Sequence, residues 1–407
     1  MEKNNKTLNV PHLRFPEFSG EWEKYTLQSV ASERKVRMST NCFGSDSYVS
    51  TENMLQNFGG ITEVNAFPTN TNVNRYNLGD VLLSNIRPYL KKIWLADREG
   101  GCSSDVIVLN HNNLCNGRFL YYLLANDSFV SYVMSGAKGL KMPRGDKQHI
   151  FKYELSIPSR REQEKISSFL RILDERIQTQ KKIIEDLKKL KDAIAEKLFC
   201  SPDNETPELR IANSSVCWNL YRLKDVCQRI SERNSQESSS LVLTIAAQYG
   251  LVSQTDFFNK SVASENLSNY YLIQKGDFAY NKSYSGEYPW GAVKRLELYE
   301  KGVLSPLYIC FRPNPLIVNS DFLSHYFETH KWHNGIAQIA GEGARNHGLL
   351  NVSLSDYFAT LHRLPGLPEQ KKIASYLNLL SDKISLVNKE LQCYSRQKQY
   401  LLARMFI

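Results

Sequence analysis

The side chains of this 407-residue chain that are able to do chemistry are few and scattered. The densest titratable group is SHYFETHKWHNG, with His325, His330 and His333. It reads as surface and core histidines of a helix and its exit loop rather than as a metal or acid–base cluster. The cysteines, at 42, 102, 115, 200, 217, 227, 310 and 393, form no CxxC pair and no close Cys/His cluster of the kind structural zinc requires. They are expected to be free thiols in a reducing compartment. No GxxxxGK[ST] phosphate loop, GxGxxG fingerprint, HExxH or GxSxG occurs. Nor is there an Asn-Pro-Pro-Tyr or Asp-Pro-Pro-Tyr tetrapeptide to hold a flipped adenine, or a run resembling a metal-dependent nuclease centre. The expectation is a non-catalytic chain, without a cofactor of its own, that directs chemistry performed by something else.

What the sequence does offer is basic, aromatic, glycine-bearing loops. SNIRPYLKKIW carries Arg87, Lys91 and Lys92, and SGAKGLKMPRGDK carries Lys138, Lys141 and Arg144. NKSYSGEYPWGAVKRLE carries Lys282, Tyr284 and Lys294, and GEGARNHG carries Arg345, Asn346 and His347. Lys and Arg in such loops hold phosphates or reach guanine edges, Asn reads adenine, and Gly lets the backbone approach a duplex closely. Tyr89, Tyr284 and Trp290 fit either contact or scaffold roles. A net charge of +9, from 51 Lys and Arg against 42 Asp and Glu, is compatible with a polyanionic partner without requiring one.

These loops belong to a unit stated twice. PHLRFPEFSGEW returns as PELRIANSSVCW: Pro11, Leu13, Arg14, Trp22, Leu27 and Val30 fall on Pro207, Leu209, Arg210, Trp218, Leu223 and Val226 at one offset, 196. YNLGDVLLS answers YLIQKGDFAYN, each a Gly-Asp turn entering an apolar strand. GCSSDVIVL answers GVLSPLYICF as turn then strand, and RFLYYLL answers DFLSHYF as a short helix. IPSRREQEKISSFLRILDERI answers LPGLPEQKKIASYLNLLSDKI at an offset of 207. Small slips between these anchors mark loop length changes.

Each copy ends in a long helix. Ser159 and Glu162 are spaced as a capping box, and Gly366, Pro368 and Glu369 occupy the matching start. A seven-residue pattern follows: Leu170, Leu173, Ile177, Gln180, Ile184, Leu187, Lys191, Ile194 and Leu198, then Leu377, Leu380, Ile384, Val387, Leu391, Tyr394, Lys398, Leu401 and Met405. Lys191 and Lys398 interrupt both stripes at the same place, either as register devices or as residues snorkelling at the rim. From Ile166 to Leu198 a helix is about 50 Å long at about 1.5 Å per residue. The linker Phe199–Cys217 would have to recross most of that length if the helices ran parallel, so antiparallel pairing is expected. That places the two globular copies at opposite ends, with an approximate two-fold axis across the seam. The fold class is α/β: two pseudo-repeated mixed α/β units separated by an antiparallel coiled coil of two long helices. Trp22 and Trp218 are then expected in equivalent surroundings.

The order and duplication of these motifs resemble the specificity subunit of a type I restriction-modification system over roughly residues 11–407. The resemblance implies a first target-recognition domain (1–158), a spacer helix (159–199), a linker (200–217), a second recognition domain (218–365) and a second spacer helix (366–407). It implies that each domain reads half of a split, asymmetric double-stranded DNA target, using the twelve loop residues named above. It also implies two methyltransferase subunits, docked on the helices from Ser159 to Phe199 and Gly366 to Phe406, transferring methyl from S-adenosylmethionine to adenine N6. Two restriction subunits that translocate with ATP and Mg2+ complete the assembly. A paired-domain scaffold that binds proteins is the alternative. No apolar run approaches the roughly 18 residues of a membrane span, and the amino terminus lacks a signal-peptide pattern. A soluble cytoplasmic protein is expected.

Overall fold

In the computed structural model, which describes residues 8–211, 216–246, 249–258, 266–340 and 348–407, the chain divides into two units. Unit 1 is the chain through Lys181 joined by Lys389–Ile407, and unit 2 is Lys182–Asn388. The long helices, Arg160–Leu198 and Leu367–Met405, have 39 residues each and are shared, so that each unit owns a segment of both.

In unit 1 the central sheet runs Ala31–Glu33, Val106–His111, Val81–Ser84, Ile93–Leu95, with every pairing antiparallel. Its inner strands read VIVL and VLL because both faces are covered. Alternate residues serve two cores: Val81, Leu83, Ile107 and Leu109 face the helices, whereas Leu82, Val106 and Val108 pack with Tyr76, Trp94 and Cys102. The second core belongs to a further sheet, Arg37–Ser39, Asn72–Tyr76, Gly100–Cys102, Tyr48–Val49, whose last pairing is parallel. A short antiparallel pair, Glu23–Thr26 with Glu154–Ile157, brings the segment before the first long helix back to the start of the unit.

Unit 2 has a central sheet of the same order: Cys227–Arg229, Ile309–Pro313, Phe278–Asn281, Ala292–Arg295. Its alternation is also the same, with Phe278, Tyr280, Ile309 and Phe311 toward the helices and Ala279, Ala292 and Cys310 toward the second core. Asn219–Arg222 pairs with Leu361–Leu364 where unit 1 pairs Glu23–Thr26 with Glu154–Ile157. The hairpin Leu243–Ala246/Gly250–Ser253 and the pair Tyr271–Gln274/Lys301–Leu304 complete the described strands. The Gly-Asp turns use the left-handed region at Gly79 (φ +85°) and Gly276 (φ +92°), where a Cβ is disfavoured. The helices Gly117–Leu124 and Ser320–Phe327 start on Asn116 and Asn319, whose side-chain oxygens accept from backbone N–H groups of the first turn.

Each unit packs its two long-helix segments together. In unit 1, Asp174 meets Lys398 (2.5 Å), Arg176 lies over the Tyr394 ring and Gln180 donates to Glu390 (2.5 Å). One residue number falls as the other rises, so these segments run antiparallel. Leu170, Leu173 and Ile177 share a core with Leu391, Tyr394, Leu401 and Met405. In unit 2, Ile194 and Leu198 from the end of the first helix share a core with Leu377 and Leu380 near the start of the second. Ile184 and Val387 are buried, and Gln180, Leu187, Lys191, Ile384 and Lys398 are half-buried, so no position of the heptad pattern is fully exposed.

The helix starts do not form the capping box that the spacing suggests. Ser159 Oγ accepts from Glu162 N at 3.4 Å, but the Glu162 carboxylate is held elsewhere, by Nε and Nη2 of Arg14 at 2.7 Å and by Trp22 Nε1 at 3.3 Å. An arginine fork outcompetes a single backbone N–H for a buried carboxylate. Arg210 grips Glu369 in the same way, at 3.1 and 3.0 Å. Gln163 and Gln370 act identically: each amide oxygen accepts from the N–H of the capping Asn116 or Asn319, and each amide nitrogen donates to the carbonyl of Pro158 or Pro365.

The opening phrase sits in matched surroundings. Leu13 N donates to Arg404 O and Leu209 N to Lys197 O, in each case near the carboxyl end of a long helix. Trp22 packs edge-on against Phe119, which contacts Phe406; Trp218 packs against Phe322, which contacts Phe199. Both tryptophans are buried.

Candidate nucleic-acid interface

The two basic loops of unit 1 are brought together. Ile86 bridges Arg144, Arg87 N donates to Pro143 O at 2.7 Å, and Gly145 N donates to Asn85 O at 3.0 Å. Arg87 (φ 49°) and Lys91 (φ 57°) are both left-handed and bracket the turn Pro88–Leu90, an unusual conformation for residues with a Cβ. Within the second loop, Lys138 and Arg144 exchange backbone hydrogen bonds, each 2.9 Å, and close a small hairpin.

Four of the six candidate cations in these loops are tied to the protein. Lys91 pairs with Asp127 (2.7 Å), Lys138 with Asp146 (2.8 Å) and Arg144 with Asp105 (3.0 Å), while Lys92 donates to Thr51 O (2.6 Å). Burial, reinforced by the neighbouring Arg87 charge, holds the Lys92 ammonium below its ordinary pKa. The Lys138 and Arg144 side chains remain largely exposed, so solvent weakens their pairs and leaves them able to exchange a carboxylate for a phosphate. The Arg87 and Lys141 side chains are exposed and make no hydrogen bond or ion pair among the described residues. Tyr89 is exposed beside Arg87.

Unit 2 joins its loops at the corresponding place. Ser283 bridges Leu349, Tyr284 N donates to Gly348 O (3.2 Å) and Leu350 N donates to Lys282 O (2.9 Å). Lys282 is half-buried, and Tyr284 and Trp290 pack against the helix-side core, which gives both aromatics a scaffold role. Lys294 is engaged by Glu328 (2.6 Å), with its side chain 12% exposed. Arg345, Asn346 and His347 lie outside the described residues. The loop cations were legible in the sequence, but the carboxylates that neutralise them were not, because Asp105, Asp127 and Glu328 lie far from their partners in the chain.

Two of the three histidines of SHYFETHKWHNG are hydrogen-bonded to neighbouring side chains. His330 Nδ1 lies 2.7 Å from Glu196, and its ring is edge-on to His333. His325 contacts Asn378 Oδ1 at 2.8 Å, and burial lowers its pKa. Among the described residues no group of three or more His, Cys, Asp or Glu is arranged to hold a metal ion, and no helix is long and apolar enough to cross a membrane. All eight cysteines are unpaired.

Residues 19–189 match the family model of the type I restriction modification DNA specificity domain. A curated relative, the specificity subunit of the type I restriction enzyme HindI from Haemophilus influenzae, is 21% identical over 244 residues. That alignment covers 58% of this chain and 53% of the relative, so the chain spans about half the length of the curated relative it matches. The crystal structure of a type I restriction-modification S subunit from M. genitalium superposes with a TM-score of 0.58 at 17% identity, covering 98% of this chain and 99% of that one. A chain from a structure concerned with complex assembly and conformational transition of the type I R-M system gives 0.55 at 18%, covering 97% and 99%. At these identities the structural likeness is one of fold. Residues 19–189 thus carry the DNA specificity domain, and the chain has the fold of the solved S subunit from M. genitalium. Over nearly its whole length the chain is similar to the specificity (S) subunits of type I restriction-modification systems.

Proposed function

We propose that this chain is the non-catalytic, sequence-reading subunit of a type I restriction-modification assembly. Residues 1–158, in unit 1, and 218–365, in unit 2, act as its two target-recognition domains, and each reads one half of a bipartite, asymmetric double-stranded DNA target. The observation that carries this reading is the matched joining of basic loops, Ile86 to Arg144 in unit 1 and Ser283 to Leu349 in unit 2, on central sheets of one strand order. A common scaffold with different loops suits two different half-sites. Two methyltransferase subunits supply S-adenosylmethionine chemistry at adenine N6, and two restriction subunits supply ATP- and Mg2+-dependent translocation and cleavage. The methyltransferases dock on the repeated helices, where Phe169 and Ile172 on the first and Tyr376 and Leu379 on the second are exposed at matched positions.

The test is to express the chain with its methyltransferase partner and map methylated adenines. A split motif is expected, and Arg144→Ala should relax one half while the other is read as before. Loss of base discrimination typically follows removal of a contact worth about 1–3 kcal/mol. A purified assembly that retains no defined duplex would leave a protein-binding scaffold as the better reading.

A further inference from the structure

The hairpin that Lys138 and Arg144 close carries an unexplained tip. Its base is pinned by the reciprocal backbone bonds, by Arg87 N to Pro143 O and by the pairs Lys138–Asp146 and Arg144–Asp105. Gly139 turns the chain at φ +96°, and Leu140, Lys141 and Met142 then project outward. Leu140 is 105% exposed, as fully as a side chain can be, and Met142 is 50% exposed. One exposed leucine on a protein surface needs no explanation. Two apolar side chains flanking an unpartnered lysine, on a tip with a fixed base and with Arg87 alongside, form a different object: an apolar point set among cations.

The charge selects a polyanion as the occupant, and the apolar point selects the kind. A duplex presents one hydrocarbon group on its base edges, the thymine C5-methyl, and presents it only in the major groove. That groove, about 12 Å wide, admits a two-stranded ribbon. We propose that Leu140 and Met142 are base-contacting residues that read a thymine methyl in the half-site addressed by unit 1, with Lys141 and Arg87 on the flanking phosphates. This rests on the DNA-reading function proposed above and names two specificity residues that the charge pattern alone does not.

The experiment uses the purified complex of this chain with its methyltransferase partner and a duplex carrying the mapped motif. Each thymine is replaced in turn by uracil, which removes only the methyl group. In one half of the motif uracil should weaken binding about fourfold, the effect of one buried methyl-sized group. Leu140→Ala should weaken binding to the unmodified duplex by a similar factor and abolish the uracil effect at that position. Leu140→Met should keep it, and Met142→Ala should reduce it at the same or the adjacent thymine. Uracil effects in the other half should be unchanged in every variant. Because Leu140 belongs to no core, the melting temperature of Leu140→Ala should equal that of the wild type. The proposal is overturned if no uracil substitution matters, if Leu140→Ala retains the whole uracil penalty, or if the variant loses its methyltransferase partner instead. A complex that shows no preference for its own motif over random duplex refutes the DNA-reading function itself, a separately visible result.

Discussion

Moving an arginine from the residue after one strand into the neighbouring strand tests whether the two units follow one plan. Asp80 and Asp277 occupy the same turn, are buried, and each accept a backbone N–H three residues before them, Asn77 and Gln274. Their neutralising cations come from different places. Asp80 is gripped by Arg34, at 2.6 and 3.0 Å, and Arg34 also donates to Asn110. Asp277 is gripped by Arg312, at 2.6 and 2.8 Å. Strand register makes Asn110 the counterpart of Arg312: Ser32 faces Asn110 as Gln228 faces Arg312. Arg34 N donates to Val108 O as Ile230 N donates to Cys310 O, so Ile230 is the counterpart of Arg34. Arg34→Ile alone strands a carboxylate whose side chain is 3% exposed. Breaking a buried pair by removing one partner costs about 3–5 kcal/mol. The low end applies here because Arg34 itself is 18% exposed and water can enter the space it leaves. A loss of about 3 kcal/mol corresponds to a fall of roughly 6–12 °C in the melting transition of a unit this size. Adding Asn110→Arg should restore most of the loss, because the new guanidinium starts beside the position Arg34 vacates. Calorimetry of the full chain, comparing Arg34→Ile, Asn110→Arg and the double variant, reads the coupling directly. A double variant no more stable than Arg34→Ile would refute the equivalence of the two sites.

Three further outcomes are expected. Arg14→Ala should destabilise more than Arg210→Ala in denaturant titrations, because Glu162 is 2% exposed in its pair and Glu369 is 12% exposed. His362 is buried between the Tyr326 hydroxyl (3.0 Å) and the Thr360 hydroxyl (2.9 Å), and desolvation lowers its pKa to about 4 from an ordinary 6.5. The unfolded chain therefore takes up a proton near pH 6.5 that the folded one refuses until about pH 4. Stability of unit 2 should fall across that window, by on the order of 3 kcal/mol, and His362→Gln should flatten the decline in melts run at pH 7 and 5. Lys141→Ala should lower the salt dependence of DNA binding by about one counterion, whereas Lys138→Ala should change it less, because Lys138 already has Asp146 beside it.

Sequence reasoning worked where the physics is local or periodic. The seam from Leu170 to Met405 follows from a seven-residue repeat, which has to face a partner helix wherever that partner lies. Gly79 and Gly276 announce their turns through backbone conformation within a few residues. Contacts between distant segments were not legible. Nothing beside Glu162 says that Arg14 will take its carboxylate, and nothing beside Asp80 says that its cation comes from Arg34 when the repeat uses Arg312. The candidate loops show the same division: their cations are written locally, but which are already neutralised, as Lys294 is by Glu328, depends on folding. Leu140 escaped notice because charge, the signal used to find those loops, does not mark an apolar tip.

The helix-side core of unit 1 includes Leu401, Leu402, Met405 and Phe406, whereas unit 2 is one uninterrupted stretch, Lys182–Asn388. On the ribosome, unit 2 therefore has all its parts first, and the sheets of unit 1 must wait, with Trp22 and Phe119 uncovered, until the second long helix has emerged. At about 5–20 residues per second that wait lasts roughly 10–45 s. The half synthesised first is completed last, and any chain released early carries its defect at its beginning. A premature stop shortly before Leu401 should leave unit 2 intact while exposing the aromatic surface of unit 1 to chaperones and proteases.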